Sequence, residues 1–218
     1  MPEKHIGMRF RVGDLFPSDA PISRWLTGCC MALNDVLLVN NELIPRLQED
    51  GEPAGNVYFA RLGAAHLYEA GKFLSRSERA PSISAFVDAL DDGARRDYER
   101  VRACARAESA FAAQLKHARD HFFHYAELLP EAPEHENLKR ALDDRADAFD
   151  EILDPGEFRE FRATFASNIS LVASFPDQST LADFYTELRE ATLALMRFVP
   201  AAIARHVASQ PTDSWDYI

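Results

Sequence analysis

The sequence predicts an all-α protein built as a helical bundle. Apolar residues recur at three- and four-residue steps along nearly the whole chain, which is the spacing of one face of an α-helix. Prolines and glycines fall between these runs, where they are typical of helix ends and loops. The sequence contains no glycine-rich phosphate loop, no repeat of fixed period and no low-complexity tract. Helices joined by short connections are therefore the predicted architecture.

Length and composition favour one domain. The 218 residues are 47% hydrophobic, which is enough to bury a single core, so we interpret residues 1–218 as one domain with extended tails at 1–17 and 210–218. No stretch reaches the roughly 18 uninterrupted apolar residues that a membrane helix requires. The first 16 residues mix charged with apolar positions, unlike a secretory leader. The expectation is a cytoplasmic protein with no membrane contact.

Three helices are predicted in the first part of the chain. The first runs from Pro21 to about Ile44, just before Pro45, with apolar residues mostly three or four positions apart. After a loop rich in glycine and proline, the second covers 56 to about 75. A short third helix covers 84–90, after a further proline.

A long helix is predicted to carry the centre of the chain. Asp91-Asp92-Gly93 is a plausible start, because an aspartate at this position accepts a hydrogen bond from the first helical turn. Nothing in the pattern stops the helix before Leu129, where Pro130 follows. This helix would hold the segment from Leu115 to Tyr125, which contains the densest group of ionisable side chains suited to acid-base chemistry.

Three arginines on this long helix form a separate stripe. They share their face with acidic side chains, and they point broadly away from Arg119. We therefore expect surface ion pairs rather than an RNA-binding track. The arginines are Arg95, Arg102 and Arg106, and the neighbouring acids are Asp92 and Glu99.

The last third of the chain is less regular. A helix is predicted from Pro133 to about Leu153, where Asp154-Pro155-Gly156 ends it. The segment Glu157–Phe175 fits both a helical face and a strand face, and we favour a helix. A final long helix covers 179–209, with Pro200 expected to kink it by removing one hydrogen bond. The residues from 211 to 218 are expected to fray.

Charge and cysteine content exclude several classes of protein. A net charge of −11 repels nucleic acid over most of the surface, so any RNA contact must be local or built by assembly. Cys29 and Cys30 are adjacent and Cys104 is alone, which matches neither a disulfide framework nor a zinc-binding spacing. We expect buried free thiols and no cofactor.

The candidate site contains Arg119, Asp120 and His124. A guanidinium can hold a phosphate oxygen through two donors, and an imidazole exchanges protons near neutral pH, so the pair suits phosphodiester chemistry. Asp120 lies one helical turn from His124, where its carboxylate can orient the imidazole and raise its pKa. On an ideal helix Arg119 points about 140° away from His124. A second subunit that supplies one of the two side chains is the simpler way to bring them together.

The sequence Arg119-Asp120-x3-His124, followed by Tyr125 and placed late in a long helix, resembles the R-x(4-6)-H signature of the HEPN superfamily. The resemblance implies a helical bundle in which the motif helices of two subunits face each other. It also implies a metal-independent endoribonuclease of toxin-antitoxin or defence type, although other members lack detectable chemistry.

The resemblance also assigns roles to residues. Arg119 would hold or polarise the scissile phosphate, His124 would transfer protons, and Asp120 would orient them. The candidate substrate-binding residues beside them are Lys116, His121 and Tyr125. The implied partners are RNA, a second copy of the chain, and an antitoxin or regulatory protein.

Two alternatives stay open. The first is a non-catalytic HEPN-like module that dimerises and regulates a partner. The second is a metal site made by His117, His121 and His124, which fall within about 60° of one another on a helix. Such a site would need a further ligand, for example from His66 and Glu69. Those two residues are otherwise interpreted as a polar pair in a core helix, or as support for the motif helix if the two helices pack together.

Overall fold

The computed structural model describes the backbone of residues 8–48, 53–106, 108–123, 139–140, 142–143, 152–153, 162–163, 178–210 and 215–217. These residues form a helical bundle, as predicted, with four strands of two or three residues at its margins. In chain order the elements are β1 (Met8–Phe10), α1 (Val12–Leu15), α2 (Pro21–Gln48), α3 (Pro53–Ser77), α4 (Pro81–Asp88), α5 (Asp92–Ala103), α6 (Ala110–Phe123), β2 (Ile152–Leu153), β3 (Arg162–Ala163), α7 (Gln178–Ala208) and β4 (Trp215–Tyr217).

Helix α3 lies at the centre of the described bundle. It packs against α2, α5 and α6, and α7 closes the other side by packing on α5 and α2. Fully buried side chains from five helices meet in one core: Leu26, Leu67, Leu74, Tyr98, Val101, Leu115, Leu195 and Phe198. Burying a large apolar side chain contributes roughly 1.5–3 kcal/mol, so this shared core holds the helices together.

The helix ends near prolines differ from the sequence prediction. Helix α2 begins at Pro21 as expected, but it continues through Pro45 to Gln48. Helix α7 continues through Pro200, as predicted, between the buried residues Val199 and Ala202. A proline removes one helical hydrogen bond, and the core contacts made by a long helix compensate for that local loss. The prediction that the first helix ends before Pro45 was therefore wrong.

The predicted long central helix is two helices. Helix α5 ends at Ala103, where the backbone turns back through a hydrogen bond from Cys104 N to Val101 O. Helix α6 begins after Ser109, whose hydroxyl accepts a hydrogen bond from Ala112 N at 3.2 Å. Serine favours this capping position over a helix interior, so the single helix predicted to reach Leu129 was wrong. Residues 124–129 lie outside the described residues.

The chain termini pair with each other. Strands β1 and β4 are antiparallel, with Met8 opposite Tyr217 and Phe10 opposite Trp215. Backbone hydrogen bonds between distant segments give no periodic signal in a three-residue stretch. The prediction that the end of the chain frays was therefore wrong at residues 215–217.

A second ribbon follows α6 and precedes α7 in the sequence. Strands β2 and β3 pair antiparallel, with Ile152 opposite Ala163 and Leu153 opposite Arg162. The helix predicted from Pro133 was expected to reach Leu153, and a helix was favoured for 157–175. Both predictions were wrong at these four residues, where strand pairing replaces the local helical preference. The remaining residues of 157–175 lie outside the described part of the chain.

Helix α2 contains a segment, Pro21–Glu42, that is long and apolar enough to cross a membrane by length and composition alone. Its charged residues Arg24, Asp35 and Glu42 are exposed, while Trp25 and Leu26 are buried in the shared core. The core helix of a bundle passes the same test. The segment is therefore weak evidence for a membrane span.

Candidate functional site

Only part of the predicted motif lies within the described residues of helix α6. The side chains of Lys116, Arg119 and Asp120 are described, and His121 is placed by its backbone alone. His124 and Tyr125 lie outside the described residues. The expected contact between Asp120 and His124 therefore stays a prediction.

Packing of α6 on α3 determines where the side chains of the motif lie. Leu115 and Ala118 of α6 are buried in the core, with 0% and 4% exposure. Because these positions are three residues apart, they lie on one helical face. Lys116, Arg119 and Asp120 then flank the buried face, beside α3. One interpretation of the sequence is that residues of α3 support the motif helix if the two helices pack together. The structure shows that α3 and α6 do pack together.

Arg119 contacts two carboxylates. Its Nη1 donates to Asp120 Oδ1 at 2.7 Å, and its Nε lies 3.1 Å from Oε1 of Glu69 on α3. The hydrogen bond to Asp120 raises the pKa of Arg119 above its ordinary value, and the charge of Glu69 adds to the effect. The guanidinium is thus fixed from its own helix and from the neighbouring helix.

Asp120 is the more covered of these two carboxylates. Its side chain is 15% exposed, and it accepts a hydrogen bond from Lys116 Nζ at 2.7 Å as well as the one from Arg119. Burial by itself raises the pKa of Asp120, but the hydrogen bonds from Lys116 and Arg119 outweigh burial, so the pKa is lowered overall. Asp120 is therefore an ionised carboxylate that orients Arg119 and Lys116.

Glu69 also contacts Lys72, a residue that the sequence analysis did not single out. Lys72 Nζ lies 2.9 Å from Glu69 Oε1 and 3.0 Å from Oε2, and it also lies 5.5 Å from the centre of the Tyr68 ring. The spacing of three residues between Glu69 and Lys72 is a standard helical ion-pair spacing and could have flagged Lys72. His66 was expected to pair with Glu69, but its Nδ1 faces Asp35 Oδ2 at 3.7 Å.

Together these side chains form a group that we call the Arg119 cluster: Glu69, Lys72, Lys116, Arg119 and Asp120. It contains three cations and two anions, on a chain whose net charge is −11. Coulomb interactions act mainly over the Debye length of about 8 Å in physiological salt. These five side chains therefore act more strongly on an ion that approaches here than the net charge of the chain does.

The histidine metal site depends on side chains that are not described. The Nε2 atom of His117 is buried, while His121 and His124 contribute no described side-chain atoms. Among the described side chains, no group of three histidines, cysteines, aspartates or glutamates is arranged to hold a metal ion. The metal alternative stays a prediction.

The cysteines are free thiols, as predicted. Cys29 and Cys104 are buried and Cys30 is half-buried. Burial raises the pKa of Cys104 to about 12, and it also raises the pKa of Cys29 and Cys30. Because the thiolate is the nucleophile, these residues offer no competing catalytic centre.

Comparison of the chain with family models, curated proteins and solved structures finds no match. A function inferred for this chain therefore depends on its motif and on the geometry of the Arg119 cluster.

Proposed function

We propose that the protein is a HEPN-like, metal-independent endoribonuclease of toxin-antitoxin or defence type that acts as a cytoplasmic homodimer. The observation that carries the proposal is the Arg119 cluster. Arg119, the first residue of the R-x(4-6)-H motif, is oriented by Asp120 and lies among additional cations. Such an arrangement suits the binding of an RNA phosphate.

The reaction follows from the chemistry of arginine and histidine. The 2'-hydroxyl oxygen of a ribose attacks the adjacent phosphorus while the bond from phosphorus to the 5'-oxygen breaks. His124 accepts the proton of the 2'-hydroxyl, and a protonated imidazole returns a proton to the leaving 5'-oxygen. Arg119 stabilises the negative charge that develops on the phosphate oxygens. The products are a 2',3'-cyclic phosphate and a 5'-hydroxyl end.

A dimer completes the site in this proposal. Arg119 and His124 diverge by about 140° on one regular helix, so the imidazole that acts beside Arg119 comes from a second copy of the chain. The local positive charge would bind RNA only over a short stretch, because the remaining surface is acidic. An antitoxin or regulatory protein that covers the cluster would silence the enzyme.

The decisive experiment is cleavage of a mixed RNA pool in excess EDTA by the full chain and its variants. We expect cleavage by the unmodified chain. Arg119→Ala should lower the rate by about 10²–10³-fold, the cost of removing one group that stabilises transition-state charge. His124→Ala should lower the rate by about 10²–10⁴-fold, the contribution of a general acid or base.

Arg106→Ala is the matched control, because Arg106 is also paired, to Glu99 at 2.8 Å, but lies on the connection after α5. It removes the same charge and should leave cleavage unchanged. Cleavage that EDTA abolishes would replace the proposal with the metal site of His117, His121 and His124. Folded variants with no cleavage under any condition would leave the non-catalytic, dimeric interaction module.

A further inference from the structure

The two carboxylates that hold Arg119 differ in exposure. Asp120 is 15% exposed, whereas Glu69 is 48% exposed. The cations beside Glu69 are more covered than Glu69 itself, with Lys72 at 26% and Arg119 at 31%. Of these three side chains, Glu69 is therefore the one most open to solvent.

One oxygen of Glu69 lies between two cations of α3 and α6. Glu69 Oε1 is 2.9 Å from Lys72 Nζ and 3.1 Å from Arg119 Nε. Lys72 Nζ donates a hydrogen bond to this carboxylate, and Arg119 forms an ion pair with it. Ammonium and guanidinium groups bind phosphate oxygens in the same way as carboxylate oxygens. The carboxylate thus occupies a position in which a phosphate oxygen would contact both cations.

We infer that Lys72 is a second phosphate-binding residue beside Arg119, and that Glu69 holds the two cations until an RNA phosphate displaces it. The inference rests on the proposed function for the choice of RNA as the polyanion. It adds a binding residue outside the R-x(4-6)-H motif and assigns the two carboxylates opposite roles. Asp120 orients Arg119 permanently, whereas Glu69 competes with the substrate.

The energies are consistent with this exchange. Ion pairs that water reaches contribute little to stability, so opening the contacts of Glu69, which is 48% exposed, costs little. The contacts of Asp120 are more covered from solvent, and water screens them less. A phosphodiester that enters the cluster would therefore displace Glu69 first and leave Arg119 oriented by Asp120.

The test is binding of a single-stranded oligonucleotide in which every ribose is 2'-O-methylated. This probe cannot form the 2'-oxyanion, so its binding is measured without cleavage. Fluorescence anisotropy across a range of salt concentrations gives both Kd and the salt dependence. The variants are Glu69→Gln, Lys72→Ala and Lys72→Arg in the full chain. Arg106→Ala and Glu99→Gln serve as charge-matched controls.

Glu69→Gln should tighten binding about two- to fivefold, because it removes the carboxylate charge that pairs with Lys72 and Arg119 and competes with RNA. Lys72→Ala should weaken binding and lower the slope of log K against log salt by about 0.7, the value for one phosphate contact on a single strand. Lys72→Arg should retain the slope. A merely structural lysine would change the melting temperature but not the salt slope.

The inference is overturned if Lys72→Ala keeps the Kd and salt slope of the unmodified chain, if Glu69→Gln weakens binding, or if the chain binds no oligonucleotide. Its failure is separable from that of the proposed function. Cleavage that depends on Arg119 but not on Lys72 retains the nuclease and removes Lys72 from its site. Binding that follows the expected changes without any cleavage retains the phosphate site and removes the nuclease.

Discussion

Helices α5 and α6 come from a stretch that the sequence presents as one long helix, yet their surroundings differ. Near α5, Arg102 Nε lies 3.0 Å from Glu99 and its Nη1 contacts Glu78, and Arg106 contacts the same Glu99. At α6, Arg119 contacts Asp120 of its own helix and Glu69 of α3, and Lys72 of α3 contacts the same Glu69. The charged side chains beside α6 thus include two from α3, Glu69 and Lys72.

The seams with α3 differ as well. The α3–α5 seam is a close backbone contact, because a Cβ added at Gly71 would lie 2.9 Å from Val101 O and 3.0 Å from Ala105 N. The α3–α6 seam includes the longer, partly exposed side chains of Glu69 and Arg119. The α3–α5 seam therefore depends on close backbone packing, whereas the α3–α6 seam also includes a partly exposed ion pair.

The largest expected effect is a difference between two arginine substitutions, one of which lowers cleavage while the other lowers stability. Arg119→Ala should lower RNA cleavage by about 10²–10³-fold and reduce the free energy of unfolding by no more than about 1 kcal/mol, as for an exposed ion pair. Arg102→Ala should leave cleavage unchanged and reduce the free energy of unfolding by about 1 kcal/mol, since it removes the cation that contacts Glu78 and leaves Glu99 paired with Arg106 alone. Urea titration and single-turnover cleavage measure the two quantities. Equal effects of both variants on cleavage would remove the distinction between the helices.

A second effect distinguishes the tight seam from an ordinary one. Gly71→Ala should lower the free energy of unfolding by roughly 1–3 kcal/mol, because the added methyl meets backbone that cannot move aside cheaply. Gly63→Ala on the same helix is the control, since its Cβ would lie 3.5 Å from Val39 Cγ1, an ordinary contact. Alanine there should be neutral or stabilising by up to about 1 kcal/mol through helix propensity. Equal stability of both variants would contradict the close approach of α5.

A smaller effect concerns alkaline pH at the α3–α5 seam. Burial, with the nearby charge of Glu78, raises the pKa of Tyr98 to about 12, and its hydroxyl lies 3.3 Å from Leu74 O. Between the ordinary tyrosine pKa of about 10 and this value, the unfolded chain ionises Tyr98 while the folded chain does not. The stability that neutral Tyr98 contributes below about pH 10 is therefore lost as the pH rises through the folded pKa.

Tyr98→Phe should make the decline between about pH 10 and pH 12 shallower and cost about 0.5–1.5 kcal/mol at neutral pH through the lost hydrogen bond. Chemical denaturation at several pH values measures both changes. An alkaline decline identical to that of the unmodified chain would show that Tyr98 does not titrate as assigned.

The smallest effect is expected in acid at the α6 flank. The pKa of Asp120 is lowered, because hydrogen bonds from Lys116 and Arg119 outweigh the opposing effect of burial. Its contribution to stability is thus present above the unfolded aspartate pKa of about 4 and is lost as pH falls through the folded value. Asp120→Asn should flatten that part of the acid decline. Combined with Arg119→Ala, it should change stability by less than the sum of the single variants, and strict additivity would argue against the pairing.

Much of the fold could be predicted from periodicity, and most errors lie where a local signal competes with a distant contact. The starts of α2 and α5 were correct, because Pro21 and the capping Asp91 act within one helical turn. The break between α5 and α6 was missed, although Ser109 carried a capping signal. The pairing of residues 8–10 with 215–217 has no local signature, so no reading of either segment alone could find it.

Only some residues of the candidate site could likewise be predicted from the sequence. Arg119, Asp120 and His124 were identified by residue type and spacing, and Lys116 was placed beside them. Lys72 was missed, because its relation to Arg119 passes through Glu69 on another helix. Contacts across a helix pair depend on the rotation of each helix about its axis, which the order of residues along one helix does not give.

The sequence by itself determined the helical class and the motif residues, because these follow from spacing along a single chain segment. Only the tertiary structure decided that α5 and α6 are separate, that the termini pair, and that Glu69 and Lys72 of α3 lie beside Arg119. These outcomes depend on which segments meet in space. Free energy from a shared core and from cross-helix charges is gained only after the whole chain has folded.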